Sequence, residues 1–204
     1  MIISVEGPSA AGKTTWAYSH FDKIFIVDEA RVNNVPGREA SLQEIASFWA
    51  LVSKARWASV YAKEAETGLV VCDADPFKLH YVWSLWQIGE ASKARWRAEM
   101  AITRELFAHN ELGISDLIFV YIPARAALES HARGDKTRTR PNFDLHAQLA
   151  EPLRYWYKAI ERLDPERVRW QFPGKVDNLE SIVPRTNRSG VDIFDAIMAG
   201  LPAI

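Results

Sequence analysis

The chain has 204 residues, of which 48% are hydrophobic and 25% charged, and its 25 basic and 26 acidic side chains leave a net charge of −1. These values predict one globular domain over residues 1–204, and the neutral balance excludes a protein that grips nucleic acid through its overall charge. A single cysteine, Cys72, favours a reducing cytoplasm, and no run approaches the ~18 apolar residues of a membrane helix.

The chain opens with a short apolar run (Ile2, Ile3, Val5) that predicts a buried strand, followed by a glycine-containing turn and a helix over 13–20. The turn reads Gly-Pro-Ser-Ala-Ala-Gly-Lys-Thr, which matches the phosphate-loop pattern G-x-x-x-x-G-K-[ST] at every defined position. Glycines let the backbone curl around a polyphosphate, and the positive end of the helix dipole lies behind the inward N–H groups. The residues predicted to bind the triphosphate are Gly7, Ser9, Ala10, Ala11, Gly12, Lys13, Thr14 and Thr15.

Two side chains of this loop have further predicted roles. Lys13 reaches the β- and γ-phosphates, and the Thr14 hydroxyl is placed to ligate magnesium. The sequence therefore predicts a protein that binds ATP with Mg²⁺. The other interpretation of the pattern is a chance glycine-rich turn before a helix.

The rest of the chain alternates apolar strands with helices. Strands are predicted at 23–28, 69–72, 117–122 and 167–172, and helices at 41–66, 77–109 with a break near Gly89, from 123 to about 133, from Asn142 onward with a split at Pro152, and at 191–198. Strands that are apolar on both faces indicate a parallel sheet covered on both sides, here the five-stranded, three-layer α/β fold of P-loop NTPases. The pentapeptide Ser-Lys-Ala-Arg-Trp occurs at 53–57 and 92–96, which we interpret as a coincidence on two helices because no longer period accompanies it.

Acidic residues follow the second and third strands, where the carboxyl ends of a parallel sheet form the ligand-binding edge. Asp28 and Glu29 are candidates for a catalytic base that faces an acceptor hydroxyl, with Glu29 slightly favoured. Asp73 is a candidate magnesium ligand beside Thr14, and Asp75 is a second carboxylate for metal or substrate. The alternatives are that the first pair only caps a strand and the second only forms a solvated turn.

A basic segment at 131–143 forms a third cluster, predicted to be an arginine-rich lid. Four cations fall within eight residues of it: Arg133, Lys136, Arg138 and Arg140. Guanidinium groups that close over the triphosphate stabilise the charge of phosphoryl transfer, and closure excludes water. We therefore predict catalytic roles for Arg133, Arg138 and Arg140. The alternative is an exposed basic loop.

The run I-S-V-E-G-x-x-x-x-G-K-T-T at 3–15 resembles the start of thymidylate kinases and deoxynucleoside kinases, and the later acids and lid come in the same order. The resemblance covers roughly residues 1–172. It implies that Asp73 is the acid of an Asp/Glu-Arg motif, that Glu29 is the base, and that the lid arginines act on the phosphates. The chain departs from the family at Ala74, where arginine usually follows the third-strand acid.

These features predict an ATP-dependent phosphotransferase that moves the γ-phosphoryl group to a hydroxyl or phosphate of a small acceptor, such as a nucleoside, a nucleotide or another small molecule. A polynucleotide 5′-hydroxyl kinase is one alternative, because Asp28 and Arg31 have the acid-x-x-Arg spacing of such kinases, although the neutral charge argues against a nucleic-acid partner. A nucleotide-dependent switch or regulatory ATPase without an acceptor is the other. Assembly as a homodimer is left open.

Overall fold

A computed structural model of the chain describes residues 1–30, 32–37, 39–135, 142–176 and 183–202. The strands are β1 (Ile2–Glu6), β2 (Ile26–Val27), β3 (Val70–Asp73), β4 (Leu117–Val120) and β5 (Val168–Arg169). The helices are α1 (Lys13–His20), α2 (Leu42–Thr67), α3 (Leu79–Gln87), α4 (Lys93–Ala108), α5 (Arg125–Gly134), α6 (Phe143–Gln148), α7 (Ala150–Leu163) and α8 (Val191–Gly200). The strands form one sheet in the order β2-β3-β1-β4-β5, and all neighbouring pairs are parallel. The predicted five-stranded α/β fold is confirmed.

β1 lies at the centre of the sheet, and its successive side chains enter different cores. Ile2 packs in the larger core with side chains of α2, α3, α4, α7 and α8. Ile3 packs in the smaller core with Trp16 of α1. Helices therefore cover both faces, which explains why the strands are uniformly apolar. The loops after β1, β2 and β3 gather at one edge, where the candidate site lies.

The ends of α2 follow the local signals in the sequence. The Ser41 hydroxyl accepts a hydrogen bond from the Glu44 N–H at 3.2 Å, and the Glu44 carboxylate accepts one from the Ser41 N–H at 2.7 Å. Gly68 ends the helix with φ of 73°, a left-handed conformation that glycine adopts without strain. The predicted break near Gly89 is also present, between α3 and α4.

The second predicted strand is shorter than expected. Lys23–Phe25 forms a 3₁₀ turn, and only Ile26–Val27 pairs with β3. The side chain of Ile24 is 60% exposed, so the apolar run is not continuously buried. The fifth strand is likewise reduced to Val168–Arg169, of which only Val168 is buried.

The helix after Asn142 breaks at Leu149, and the prediction of a split at Pro152 is wrong. Pro152 lies in the first turn of α7, where a missing N–H leaves no helical hydrogen bond unmade. Asn142 precedes α6 but its side chain makes no capping hydrogen bond. In the described part of the chain no helix combines the length and the apolarity needed to cross a membrane.

Candidate active site

The phosphate loop joins β1 to α1 in a tight turn. A Cβ on Gly7 would meet the Tyr121 carbonyl oxygen at 2.3 Å, so only glycine fits there. Ala10 and Gly12 have φ of 70° and 88°, which curl the backbone. The Lys13 ammonium donates a hydrogen bond of 2.7 Å to the Gly7 carbonyl. The loop has the shape that the pattern predicts, and its binding of a triphosphate stays a prediction.

The remaining loop residues and α5 pack together at the start of the predicted lid. Ala10 and Ala11 are buried with Leu128 of α5. The His131 ring nitrogen Nδ1 lies 3.0 Å from the Ala10 carbonyl. Thr15, on the first turn of α1, is exposed. The helix that leads into the lid is thereby joined to the loop it would cover.

The lid arginines are only partly within the described residues. Arg133 lies near the end of α5 and is exposed. Arg138 and Arg140, together with Lys136, lie outside the described residues. Their action on the phosphates stays a prediction.

Thr14 and Asp73 meet at the predicted metal position. The Thr14 hydroxyl donates a hydrogen bond of 2.6 Å to Asp73 Oδ2. The other carboxylate oxygen, Oδ1, is buried and has no hydrogen-bond partner among the described residues. Burial raises the pKa of Asp73, against the opposing effect of the Thr14 hydroxyl. A buried carboxylate oxygen with no partner fits a cation, so the pair fits the predicted magnesium.

No cluster of three or more His, Cys, Asp or Glu side chains that could hold a metal is found where the structure describes the chain. Thr14 and Asp73 would therefore share the ion with phosphate oxygens and water. Mg²⁺ in phosphate sites usually keeps several water ligands and binds few protein side chains.

Of the three acids Asp28, Glu29 and Asp75, only Glu29 lines the cavities beside the phosphate loop. Its half-exposed side chain lines two cavities, of about 350 and 220 Å³. Asp28 accepts a hydrogen bond of 2.7 Å from the Tyr18 hydroxyl. Asp75 has no exposed surface and accepts a hydrogen bond of 2.9 Å from the Tyr157 hydroxyl inside the core. The geometry favours Glu29 over the other two for contact with a substrate.

Glu6 is a site residue for which the sequence motifs predict no role. It is buried at the end of β1, where it accepts hydrogen bonds from the N–H groups of Gly7 at 2.8 Å and Asp75 at 3.0 Å. Lys78 Nζ and His80 Nε2 lie 3.5 and 3.4 Å from its carboxylate. Burial alone would raise the pKa of Glu6, but Lys78 and His80 outweigh it and hold the pKa well below its usual range. The only signal in the sequence was an acid at the end of an apolar strand.

The larger of the two cavities that Glu29 lines has a volume of about 350 Å³ and lies between α2, α3 and α4; it is called the larger cavity. Arg56 of α2 is 7% exposed, and its Nη2 donates a hydrogen bond of 2.6 Å to the Asp73 carbonyl. The Nε and Nη1 groups of Arg56 have no hydrogen-bond partner among the described residues. The apolar part of the wall includes Ala46, Trp49, Ala50, Val52, Leu79 and Val82.

A charged pair on α4 also lines the larger cavity. Arg95 Nε donates a hydrogen bond of 2.8 Å to Glu99, and burial raises the pKa of that carboxyl against the opposing effect of Arg95. Arg56 and Arg95 are the arginines of the two Ser-Lys-Ala-Arg-Trp copies, so each copy supplies one arginine to the same cavity. The interpretation of the repeat as coincidence gave no indication of this.

The cavity of about 220 Å³, named the smaller cavity here, lies beside the phosphate loop and includes Ser9 and Lys13 in its wall. Its boundary with the larger cavity is formed by residues that line both: Glu29, Lys78, Tyr81 and His146. The Tyr81 hydroxyl lies 3.3 Å from His146 Nε2. The loop and the apolar space are therefore adjacent, with Glu29 between them.

The fold and the phosphate loop define an α/β protein with the three-layer architecture of P-loop nucleoside kinases. No known family profile matches the chain, and no curated protein matches its sequence. Among solved structures, a deoxyadenosine kinase from M. mycoides with the products dCMP and dCDP bound matches with a TM-score of 0.57 and 11% identity, over 98% of this chain and 97% of that chain. The deoxyadenosine kinase of M. mycoides with bound dATP matches with a TM-score of 0.50 and 11% identity, over 98% of both chains. The resemblance to nucleoside kinases is thus confirmed at the level of the fold.

Proposed function

We propose that the protein transfers the γ-phosphoryl group of Mg-ATP to a hydroxyl group of a small acceptor, and that the acceptor is a nucleoside. The observation that carries the proposal is the position of Glu29 on the boundary between the larger and smaller cavities. A carboxylate there reaches an acceptor hydroxyl in one cavity while the triphosphate end lies in the other. The fold of the deoxyadenosine kinase structures supports the choice of a nucleoside.

The reaction proceeds by direct transfer between the two substrates. Lys13 and the loop N–H groups hold the β- and γ-phosphates. The acceptor oxygen attacks the γ-phosphorus, a new P–O bond forms, and the P–O bond to ADP breaks with its electron pair leaving on ADP. The hydroxyl proton passes to Glu29 and then to water. Bound Mg²⁺, held by Thr14 and Asp73, would neutralise charge on the phosphate oxygens.

The larger cavity suits a planar acceptor. Its volume of about 350 Å³ lies within the range of small-molecule sites. Trp49 and Tyr81 offer aromatic surface for a ring. The unpartnered donors of Arg56 would be satisfied by a carbonyl oxygen or ring nitrogen of the acceptor, which removes the cost of burying them.

The test is ADP release from Mg-ATP against deoxynucleosides, nucleoside monophosphates, 5′-hydroxyl oligonucleotides and other hydroxylated small molecules, with mass spectrometry of the products. A phosphorylated nucleoside is expected. Glu29→Gln should lower kcat by roughly 10²- to 10⁴-fold, the usual contribution of a general base. Asp28→Asn is the matched control and should keep near-normal turnover, since Asp28 contacts Tyr18.

Other outcomes of the panel separate the alternatives. Phosphorylation of oligonucleotides alone would support the polynucleotide kinase. Slow ATP hydrolysis that no acceptor stimulates would contradict the proposal and favour a switch or regulatory ATPase.

A further inference from the structure

Lys78 lies on the boundary between the larger and smaller cavities. Among the described residues it is the only lysine or arginine that lines both. Its ammonium lies 3.2 Å from Glu29 Oε1 and 3.5 Å from Glu6 Oε2. An ammonium has three N–H donors, so two carboxylates leave one donor for another oxygen.

The backbone that carries Lys78 is anchored to the buried acid of β1. The Asp75 N–H donates to Glu6 at 3.0 Å, and the Phe77 N–H donates to the Asp75 carboxylate at 3.0 Å. The Lys78 N–H donates to the Pro76 carbonyl at 2.9 Å, and α3 begins at the next residue. Lys78 is therefore held in a defined position relative to the phosphate loop, which directly follows Glu6.

The other cations of this edge lie to either side of Lys78. Lys13 belongs to the phosphate loop, and Arg56 donates to the Asp73 carbonyl within the larger cavity. The residue after Asp73 is Ala74, which is buried and brings no charge. Among the described lysines and arginines, only Lys78 places a positive charge on the boundary between the two cavities.

We propose that Lys78 is a further catalytic residue, which donates a hydrogen bond to the phosphoryl group as it passes from ATP to the acceptor hydroxyl. This inference rests on the proposed function. Negative charge spreads over the phosphoryl oxygens during transfer, and a donor already oriented by two carboxylates stabilises it without rearrangement. Lys78 keeps its proton throughout, and the hydroxyl proton still passes to Glu29.

The positive charge of Lys78 also affects the pKa of Glu29, the proposed base. The positive charge of Lys78 is the largest influence on the pKa of Glu29, which is lowered; Lys13 adds to this effect, while burial and Glu6 oppose it. Burial lowers the pKa of Lys78, but Glu6 and Glu29 outweigh it and raise the pKa. Without Lys78, Glu29 would face the carboxylates of Glu6 and Asp73 with Lys13 as its remaining positive neighbour. Its pKa would rise, and Glu29 would stay ionised only at higher pH.

The first experiment compares Lys78→Met with Lys54→Met, which removes an exposed lysine of α2 that pairs with Glu111. Lys78→Met should lower kcat by roughly 10²- to 10³-fold, as for other preorganised donors, with little change in the KM of the acceptor. The acid limb of the pH profile of kcat/KM should move to higher pH. Lys78→Arg, which keeps the charge, should recover part of kcat and return the acid limb toward its wild-type position. Lys54→Met should match the wild type.

The second experiment measures binding by calorimetry and needs no acceptor. MgADP with aluminium fluoride mimics the phosphoryl group in transit, and Lys78→Met should weaken its binding by roughly 10²-fold while leaving MgADP alone nearly unchanged. Circular dichroism establishes that each variant is folded. If Lys78→Met does not fold, Lys78→Gln, which also removes the charge but keeps a polar side chain, carries the test.

Two results distinguish the inference from the proposed function. An active wild type together with a Lys78→Met enzyme of normal kcat, unmoved acid limb and normal aluminium fluoride affinity would overturn the role of Lys78 alone. A wild type that neither binds MgADP nor phosphorylates any acceptor would overturn the proposed function, and the role of Lys78 with it.

Discussion

The Thr14 hydroxyl donates a hydrogen bond of 2.6 Å to Asp73, which joins the first turn of α1 to the end of β3. The two residues are 59 positions apart in the chain, and the sheet brings them together because Asp73 lies beside Val5 in the parallel pairing of β1 and β3. The hydroxyl and the carboxylate thus offer adjacent oxygens at the edge of the phosphate loop.

Replacing Asp73 tests the metal site. Asp73→Asn should raise the Mg²⁺ concentration for half-maximal turnover by roughly 10- to 100-fold, because an amide carries no charge to hold the ion. The measurement is a Mg²⁺ titration at a constant concentration of ATP. Asp22→Asn removes an exposed acid that precedes the 3₁₀ turn, and serves as the control. An unchanged Mg²⁺ requirement in Asp73→Asn would contradict the assignment.

Replacing Lys13 tests the phosphate loop. Lys13→Ala should abolish triphosphate turnover, because the ammonium neutralises the β- and γ-phosphates, and should leave the far-UV circular dichroism intact. Lys63→Ala removes a lysine of α2 that donates to the Ile24 carbonyl, and should keep full activity. Full turnover by Lys13→Ala would show that the loop does not bind the triphosphate.

Replacing Arg56 tests the acceptor cavity. Arg56→Met should raise the KM of the acceptor roughly 10- to 100-fold, the effect of losing a hydrogen bond from a charged donor, and change the KM of ATP much less. Arg104→Met is the matched control. Arg104 forms an exposed ion pair with Asp195, and neither residue lines either cavity. Equal KM values for the acceptor in the two variants would show that Arg56 does not contribute to acceptor binding.

The parts of the site that the sequence predicts are those encoded within a few residues. The phosphate loop depends on the local spacing of Gly7, Gly12 and Lys13, and the capping box of α2 depends on Ser41 and Glu44. Both need only neighbouring residues to act, so a linear pattern is sufficient to recognise them.

The roles of Arg56, Lys78 and Glu6 depend on contacts between distant segments. Arg56 looks like an ordinary polar residue in the middle of a helix until β3 brings the Asp73 carbonyl to it. Lys78 gains its two carboxylates from the end of β1 and from the loop after β2. The choice of Glu29 over Asp28 also depends on side-chain direction, which an isolated short strand does not determine.

The last described segment, 183–202, is tied to the opposite edge of the sheet by an ion-pair network. Arg188 is 8% exposed, and its Nε donates a hydrogen bond of 2.7 Å to Asp116, which has no exposed surface and precedes β4. The same guanidinium donates to both oxygens of Glu64 on α2, at 2.6 and 2.7 Å. No motif in the sequence predicts this role for the segment.

Removing Arg188 should therefore affect stability more than catalysis. Arg188→Met should lower the free energy of unfolding by about 3–5 kcal/mol, because it leaves the Asp116 carboxylate buried without its cation. Arg154→Met breaks an exposed pair with Glu151 and should cost about 0–1 kcal/mol. Urea denaturation measures both changes. Turnover per folded molecule at low temperature should be unaffected, and equal stabilities of the two variants would contradict the role of the network.

The shared wall between the two cavities has a consequence for inhibitor design. Glu29, Lys78, Tyr81 and His146 each line both spaces, so the two cavities are adjacent and share these four side chains. One molecule that joins a nucleoside to a polyphosphate chain would occupy both spaces at once and compete with both substrates. Since the two halves bind as a single ligand, its affinity gains from effective concentration and can exceed that of either half alone by orders of magnitude.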